Sequence, residues 1–262
     1  MLYKDIGLDY CQEASLHRQV WRAKQSLSYF YTEAFFNKIK YYCSRLPVLE
    51  VGSGPGFLKD YWRDIIASDV FHMPWLDIVC RCEKIPFKDS TFANLVCVDV
   101  FHHLASPVEF LKEAERVVVP KGQIIMLEPW ITSFSYIFWK YIHHEMCKMV
   151  QDPWTNTSKE DMKPFDGNAY IPYQCFGRKN RRELKIRWPH LKLKRIELLG
   201  VFVYPLTGGF QPALGIRRAS LIKVLLHIER FLEPLLSPLS ATRALIVLEN
   251  LKQDSDNIKI KV

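Results

Sequence analysis

The sequence predicts an α/β fold in which a mostly parallel sheet is covered by helices on both faces. Between residues 47 and 130, short apolar runs alternate with helix-like segments, as such folds require. The runs are continuously apolar rather than alternating, which is typical of strands buried on both sides. One of them continues into LEVGSGPGFLKD, residues 49–60, where a strand passes into a helix through three glycines at alternate positions.

The predicted strands, seven in all, follow one another along the whole chain. They cover residues 47–51, 64–69, 77–82, 93–100, 123–129, about 194–204 and 241–250. Helices are predicted over 18–44, 107–118 and 133–149. The helix at 107–118 has a clear start, because Ser106 can cap its first turn and Pro107 lies where no backbone donor is needed.

The composition indicates a globular protein. Of its 262 residues, 48% are hydrophobic and 13% aromatic, without repeats or low-complexity tracts. No apolar run approaches the roughly 20 residues that span a bilayer, and no secretory signal opens the chain. We therefore predict a cytoplasmic protein. Its seven cysteines include no CxxC pair, so we expect reduced thiols and no metal site, with Cys80 and Cys82 as a remote alternative.

The net charge of +8 is concentrated in one segment. Residues 178–195 hold nine Lys or Arg and one Glu, and this difference of eight equals the excess of the whole chain. Such a block can face an anionic partner, such as a membrane, a phosphorylated substrate or nucleic acid. It can equally be a solvated helix followed by an edge strand.

A predicted helix between the last two strands is amphipathic. It covers residues 219–240 within an insertion at 208–240, and its polar side carries Lys223, His227 and Arg230. The apolar stripe consists of Leu221, Leu225, Ile228, Leu232, Leu235 and Leu239. A stripe of this width either packs over the domain or lies on a membrane, and packing is the more common outcome.

The glycine turn allows a ligand to approach the backbone closely and directs helix N–H groups towards it. Dinucleotide-binding turns read G-x-G-x-x-G. Here Gly52, Gly54 and Gly56 give G-x-G-x-G, preceded by Glu50, and Pro55 removes one backbone donor. The spacing therefore disfavours a pyrophosphate ligand, and with it a nicotinamide-dependent oxidoreductase.

Residues 47–130 resemble the class I S-adenosylmethionine-dependent methyltransferases, in particular the small-molecule branch called methyltransferase type 11. An acidic residue before G-x-G-x-G is the first motif of that family, and Asp69 lies where the family binds the two ribose hydroxyls. EKIPFKDSTF (83–92), VDVFHHL (98–104) and EAERVVVPKGQIIMLEP (113–129) are similar to its later segments.

The resemblance implies a Rossmann-like class I methyltransferase sandwich and S-adenosylmethionine as cofactor. The cofactor-binding residues that it implies are Glu50, Gly52, Ser53, Gly54, Gly56, Asp69, Val70, Cys82, Glu83 and Asp99. We expect a single domain, 1–262, with a helical cap (1–45), a cofactor-binding core (46–130), a substrate lid (131–180), C-terminal strands (181–250) and a tail (251–262).

Three features depart from the family. Arg81 stands where an acid commonly lies near the adenine amino group, and Ala93 replaces another usual Asp. Only seven residues, Val70 to Leu76, join the second and third strands, too few for the usual crossover helix. A catalytically silent binding protein is therefore the alternative hypothesis.

Candidate catalytic and substrate residues lie at the carboxyl ends of the strands and in the lid. Histidine suits a general base near neutral pH, and a base is needed only if the acceptor is protonated. The candidates are His102, His103, His143 and His144 as catalytic residues, and Tyr29, Tyr31, Glu145 and Asp152 in substrate binding. Each of them is individually more often structural.

These observations predict a methyltransferase. The acceptor is expected to be a small molecule, a glycan or a lipid-linked intermediate. The enzyme is expected to touch the inner membrane face through residues 219–240 and 178–195. Nucleic acid is an unlikely substrate, because no catalytic or nucleic-acid-binding motif accompanies the basic block.

Overall fold

The fold is a seven-stranded sheet with helices on both faces, which confirms the predicted class. The structure is a computed structural model that describes residues 2–43, 45–142, 146–154 and 167–252, with side chains from residue 9 onward. In space the strands follow the order β3-β2-β1-β4-β5-β7-β6. They are β1 (Val48–Val51), β2 (Ile66–Asp69), β3 (Ile78–Val79), β4 (Phe92–Val98), β5 (Val118–Pro129), β6 (Leu191–Leu199) and β7 (Arg243–Asn250).

The first five strands pair in parallel, and β7 runs antiparallel between β5 and β6. The α-helices are α1 (Leu2–Ala23), α2 (Gln25–Tyr31), α3 (Asn37–Tyr42), α4 (Phe57–Tyr61), α5 (Pro107–Val117), α6 (Ser133–Tyr141), α7 (Ile171–Phe176), α8 (Arg181–Arg187), α9 (Val203–Thr207) and α10 (Ala219–Ser240). A π-helical stretch, Thr32–Phe36, joins α2 to α3, and a 3₁₀ turn, Phe101–His103, follows β4.

Two separate cores lie on the two faces of the sheet. Alternate residues of each strand enter opposite cores, so that Ile124 packs with α5, α7 and α8, whereas Ile125 packs with α2, α3 and α10. The edge strand β6 alternates apolar with exposed basic residues, but the central strands, which are covered on both faces, carry continuous apolar runs. This is the physical reason why continuous apolar runs predicted them correctly.

The ladder between β5 and β7 brings the start of β7 to the end of β5. Gln123 to Pro129 pair antiparallel with Glu249 to Arg243, so that Arg243 lies opposite Pro129. The carboxyl ends of β1, β4 and β5 and the first residue of β7 therefore meet at one edge. In parallel α/β sheets this edge is where ligands bind.

Several predicted elements have different bounds in the structure. The helix expected to reach Met149 ends at Tyr141. Met146 instead forms a bridge to Asn168, and the Lys148 amide donates to the side-chain oxygen of Asn168. The third strand is Ile78–Val79 only, because the chain turns through a bridge between Arg81 and Lys84. The N-terminal helix begins at Leu2, well before the predicted start.

Candidate functional site

The glycine turn after β1 is built so closely that side chains would not fit. Gly52, Gly54 and Gly56 all have positive φ, of 64°, 47° and 74°. A Cβ at Gly52 would lie 2.5 Å from the Val100 side chain, and one at Gly56 would lie 2.6 Å from the Trp75 ring. Glycine is therefore required here both by the backbone conformation and by the neighbours.

Glu50, at the end of β1, is a buried carboxylate with an incomplete set of partners. Its side chain is buried, and its Oε2 atom makes no hydrogen bond. Burial raises the pKa of Glu50 from 4.5 to about 8, an effect that the Ser53 hydroxyl opposes in part. A buried oxygen of this kind requires a donor or a cation, and an amino group on a ligand at the glycine turn would supply one.

Asp69, at the end of β2, has a full set of partners. Its Oδ2 atom accepts hydrogen bonds from the Gly54 amide at 2.7 Å and from the Tyr10 hydroxyl at 3.0 Å. Its Oδ1 atom accepts from the Val70 amide at 2.7 Å. Burial raises the pKa of Asp69, and these hydrogen bonds counteract the shift. The carboxylate is thus oriented by the glycine turn and by Tyr10.

Helix α1 covers the glycine turn. Besides Tyr10, its Arg18 donates to the Pro55 carbonyl and, at 2.6 Å, to Asp60. From the loop after β2, the Trp75 ring nitrogen donates to the Gly54 carbonyl at 2.8 Å, and the Arg18 guanidinium lies 4.8 Å above the Trp75 ring. Sequence analysis predicted a helical cap over 1–45 but not that Tyr10, Arg18 and Trp75 contact the glycine turn. The sequence signal for these contacts was the short link between β2 and β3, because a crossover helix at that place would fill the space beside the glycine turn.

The residues that follow β3 lie near the surface. Arg81 is exposed and its Nε atom lies 3.6 Å from the Glu83 carboxylate, which also accepts from the Cys82 thiol at 3.6 Å. Arg81, which stands where the family commonly has an acid, therefore forms an ion pair with Glu83. Ala93 is buried in β4, and its amide donates to the Pro47 carbonyl. The departure at Ala93 is thus accommodated within the sheet.

His102 forms a buried pair with Glu128 at the carboxyl end of β5. The His102 Nδ1 atom lies 2.6 Å from a Glu128 oxygen, and the other oxygen accepts from the Val100 and Phe101 amides. Glu128 thus holds the 3₁₀ turn after β4 and fixes the His102 ring. Sequence analysis did not select Glu128, although a lone acid in the apolar run QIIMLEP was a usable signal.

The lid rests directly on both histidines. A Cβ at Gly167 would lie 2.5 Å from the His102 ring and 2.8 Å from the His103 ring, and the Asn168 amide donates to the His102 carbonyl. His102 is buried, whereas His103 is half-buried. The predicted role of either residue as a base stays a prediction, and the geometry places His103 closer to solvent.

A second charged pair lies at the same edge of the sheet. Asp99, at the end of β4, has a φ of 56° and pairs with Arg243, the first residue of β7. The Arg243 guanidinium lies 5.1 Å from the Trp139 ring centre and 4.9 Å from that of Tyr204, whose hydroxyl accepts from it at 2.9 Å. Burial lowers the pKa of Arg243, and its Nε atom is buried without a hydrogen-bond partner. Sequence analysis missed Arg243 and Tyr204.

The remaining candidates are spread over several places. Tyr31 is buried, with its ring 6.3 Å from that of Tyr204, and Tyr29 is half-buried against the same core. Asp152 accepts from the Trp154 amide at 2.8 Å and lies 3.9 Å from Arg187, so that it closes a turn away from the glycine loop. His143, His144 and Glu145 lie outside the described residues.

The comparisons with known proteins agree with this geometry. Residues 49–126 match the family model described as "Methyltransferase domain". A ubiquinone/menaquinone biosynthesis C-methyltransferase of Geotalea daltonii is 29% identical over 66 residues, which cover 25% of this chain and 27% of that relative. The match therefore spans about a quarter of the relative's length.

A solved structure from Thermotoga maritima shares the fold. A Thermotoga maritima protein described as a SAM-dependent methyltransferase, possible histamine N-methyltransferase, aligns with a TM-score of 0.54 at 12% identity and covers 94% of this chain and 100% of that one. A SAM-dependent methyltransferase of Archaeoglobus fulgidus aligns with a TM-score of 0.45 at 14% identity, covering 82% and 90%. The family match confirms the predicted resemblance and supports the predicted cofactor, S-adenosylmethionine.

The buried Glu50 predicts an unusual pH dependence of stability. In the folded protein its pKa is about 8 instead of 4.5, so wild type loses stability as the pH rises between these values. Glu50→Gln cannot ionise. Its free energy of unfolding should therefore rise relative to wild type by about 3 kcal/mol between pH 5.5 and pH 8.5, at roughly 1.4 kcal/mol per pKa unit.

Urea denaturation at both pH values measures this difference. Glu109→Gln is the matched control, because Glu109 is an exposed glutamate on α5. Its effect should be the same at both pH values. A Glu50→Gln effect that does not change with pH would show that Glu50 is ionised throughout.

Proposed function

We propose that this chain, whose residues 49–126 form a methyltransferase domain, is an S-adenosylmethionine-dependent methyltransferase. Its acceptor is a small molecule, a glycan or a lipid-linked intermediate that enters at the carboxyl edge of the sheet. The observation that carries the proposal is Glu50: a buried carboxylate oxygen without a partner, directly before a glycine turn, in the segment that matches the family.

The described residues fit this cofactor. Glu50 would take its amino group, Asp69 its ribose hydroxyls, and the turn from Gly52 to Gly56 would lie against it without obstruction by side chains. Glu83 and Cys82 would lie on the adenine side, as the resemblance implies. When bound, the cofactor supplies a methyl group activated by a sulfonium, so the protein has to orient the acceptor and exclude water.

We assign the acceptor side to Asp99, Arg243 and Tyr204, although the resemblance implied a cofactor role for Asp99. Because Arg243 is held by Asp99 and by two rings, these groups are fixed before an acceptor arrives. Asp99 retains 28% of its side-chain exposure and can accept a hydrogen bond from an acceptor hydroxyl or amine. His103 is the half-buried histidine beneath the lid and is the better placed of the two adjacent histidines to take a proton.

The curated relative supports one form of the reaction. It is named for C-methylation in ubiquinone and menaquinone biosynthesis, and the alignment covers 66 residues of this chain. Methyl transfer to carbon is therefore one candidate reaction for this chain.

A second candidate function is a binding protein without catalysis. The observation that favours it is the Tyr10 hydroxyl, which occupies the Asp69 oxygen that ribose hydroxyls would use. Under this alternative α1 stays closed over the turn. Under the leading proposal α1 gives way when the cofactor binds.

Calorimetric titration with S-adenosylmethionine tests the proposed function. Wild type should bind, and Glu50→Gln should bind at least tenfold more weakly, because a charge-assisted hydrogen bond contributes about 1.5–3 kcal/mol. Glu109→Gln should bind like wild type. Absence of binding to wild type at millimolar cofactor would reject the methyltransferase, and equal binding by Glu50→Gln would reject the assigned site.

Replacement of Tyr10 separates the two candidate functions. If Tyr10 competes with the cofactor for Asp69, Tyr10→Phe should bind the cofactor at least tenfold more tightly, because a hydrogen bond to a carboxylate, worth about 1.5–3 kcal/mol, no longer has to be broken. Tyr41→Phe is the control, since Tyr41 is 80% exposed. Weaker binding by Tyr10→Phe would mean that Tyr10 contacts the cofactor instead of competing with it.

A further inference from the structure

Helix α10 presents an apolar stripe to solvent. Phe231 is 83% exposed and Leu235 is 74% exposed. The stripe recurs every three or four residues along one helical face and consists of Leu221, Val224, Ile228, Phe231, Leu235 and Leu239. Sequence analysis assigned Leu225 and Leu232 to the stripe in place of Val224 and Phe231. In the structure Leu225 and Leu232 are half-buried against the protein.

The opposite face of α10 already binds the protein. Ile222 and Leu226 enter the core, and the buried Glu229 carboxylate accepts from the Phe202 and Val203 amides, both at 2.6 Å. The helix is therefore fixed by its inner face. The outer stripe is a contiguous row of exposed apolar side chains, and such rows, unlike singly scattered apolar residues, commonly mark an interaction surface.

The charges around the stripe are cationic. The acids of α10 are Glu229, which is buried, and Glu233, which is half-buried. Arg217, Arg218 and Lys223 are exposed near the start of the helix. An anionic lipid surface complements both the apolar stripe and these cations. A second copy of the same face would place like charges against each other.

Helix α6 extends this surface. It contacts α10, and its Phe134, Ile137 and Tyr141 are also exposed, again at spacings of three and four residues. Helix α6 follows the carboxyl end of β5, and α10 leads into Arg243 at the start of β7. Both helices therefore adjoin the edge of the sheet where Asp99 and Arg243 pair.

The basic block is not part of this surface. Leu184 and Trp188 pack with α5, on the face of the sheet opposite α10. Arg187 pairs with Glu183, and Lys194 pairs with Glu249. The helical part of the basic block thus lies on the face of the sheet opposite α10, whereas residues 191–195 belong to the edge strand β6.

We propose that α10, extended by α6, binds the surface of an anionic membrane and lies in the plane of the headgroups. The 22 residues of α10 span about 33 Å, and within the described part of the chain no helix is long and apolar enough to cross a bilayer. This membrane contact is independent of methyl transfer. Only its consequence, that the acceptor enters the site from the bilayer, rests on the proposed function.

Vesicle flotation tests the proposal without cofactor or acceptor. Wild type should bind vesicles of phosphatidylglycerol and phosphatidylcholine and bind pure phosphatidylcholine more weakly. The variant Phe231→Asp, Leu235→Asp should bind the anionic vesicles at least tenfold more weakly, because it removes two of the most exposed apolar side chains of the stripe. Ile186→Asp is the matched control, since Ile186 is 70% exposed on α8, and it should bind like wild type.

A charge reversal distinguishes α10 from the basic block. Arg218→Glu, Lys223→Glu should weaken vesicle binding at least fivefold, whereas Arg181→Glu, Arg182→Glu should leave it unchanged. Thermal melts verify that each variant is folded. The proposal is overturned if the double variant Phe231→Asp, Leu235→Asp binds vesicles like wild type, or if the charge reversal on α8 has the larger effect. It is also overturned if wild type does not bind vesicles and instead forms a dimer that this double variant dissociates.

Discussion

The incomplete hydrogen bonding of the buried Glu50 carboxylate is the constraint on which the site depends. The residue lies at the end of a strand whose neighbours on both sides are parallel, so it can reach neither solvent nor a free strand edge. The glycine turn that follows places backbone, rather than side chains, in front of it. A carboxylate in such a place destabilises the protein alone and is relieved by a ligand that brings a cation. The buried Glu50 carboxylate therefore lowers the stability of the unliganded protein at the same position where it strengthens ligand binding.

The first half of the fold could be predicted from sequence because its signals are local. Continuous apolar runs identify strands covered on both faces, and the glycine spacing identifies the turn. The contacts that sequence analysis missed join distant segments: Tyr10 with Asp69, Asp99 with Arg243, and His102 with Glu128. Sequence periodicity does not predict such pairs, because neither partner differs in spacing or residue type from what its own segment would normally contain.

The orientation of α10 could not be predicted for a different physical reason. So many positions of α10 are apolar that more than one apolar stripe satisfies helical spacing. Which stripe faces solvent is decided by the tertiary contacts of the inner face, including those of Glu229. The exposed stripe and the candidate site are connected through α10, because this helix leads directly into Arg243, the first residue of β7. Cofactor and acceptor would then approach from different sides, the cofactor beneath α1 and the acceptor beside α6 and α10.

The number of protons released when the cofactor binds tests the central claim most directly. At pH 6.5 Glu50 is protonated in the free protein, since its pKa is about 8, and an ammonium group beside it would drive off that proton. Calorimetry of S-adenosylmethionine binding in buffers of different ionisation enthalpy should therefore give a release of about one proton per site for wild type and none for Glu50→Gln. Binding by wild type without proton release would contradict the assignment of Glu50 to the cofactor's amino group.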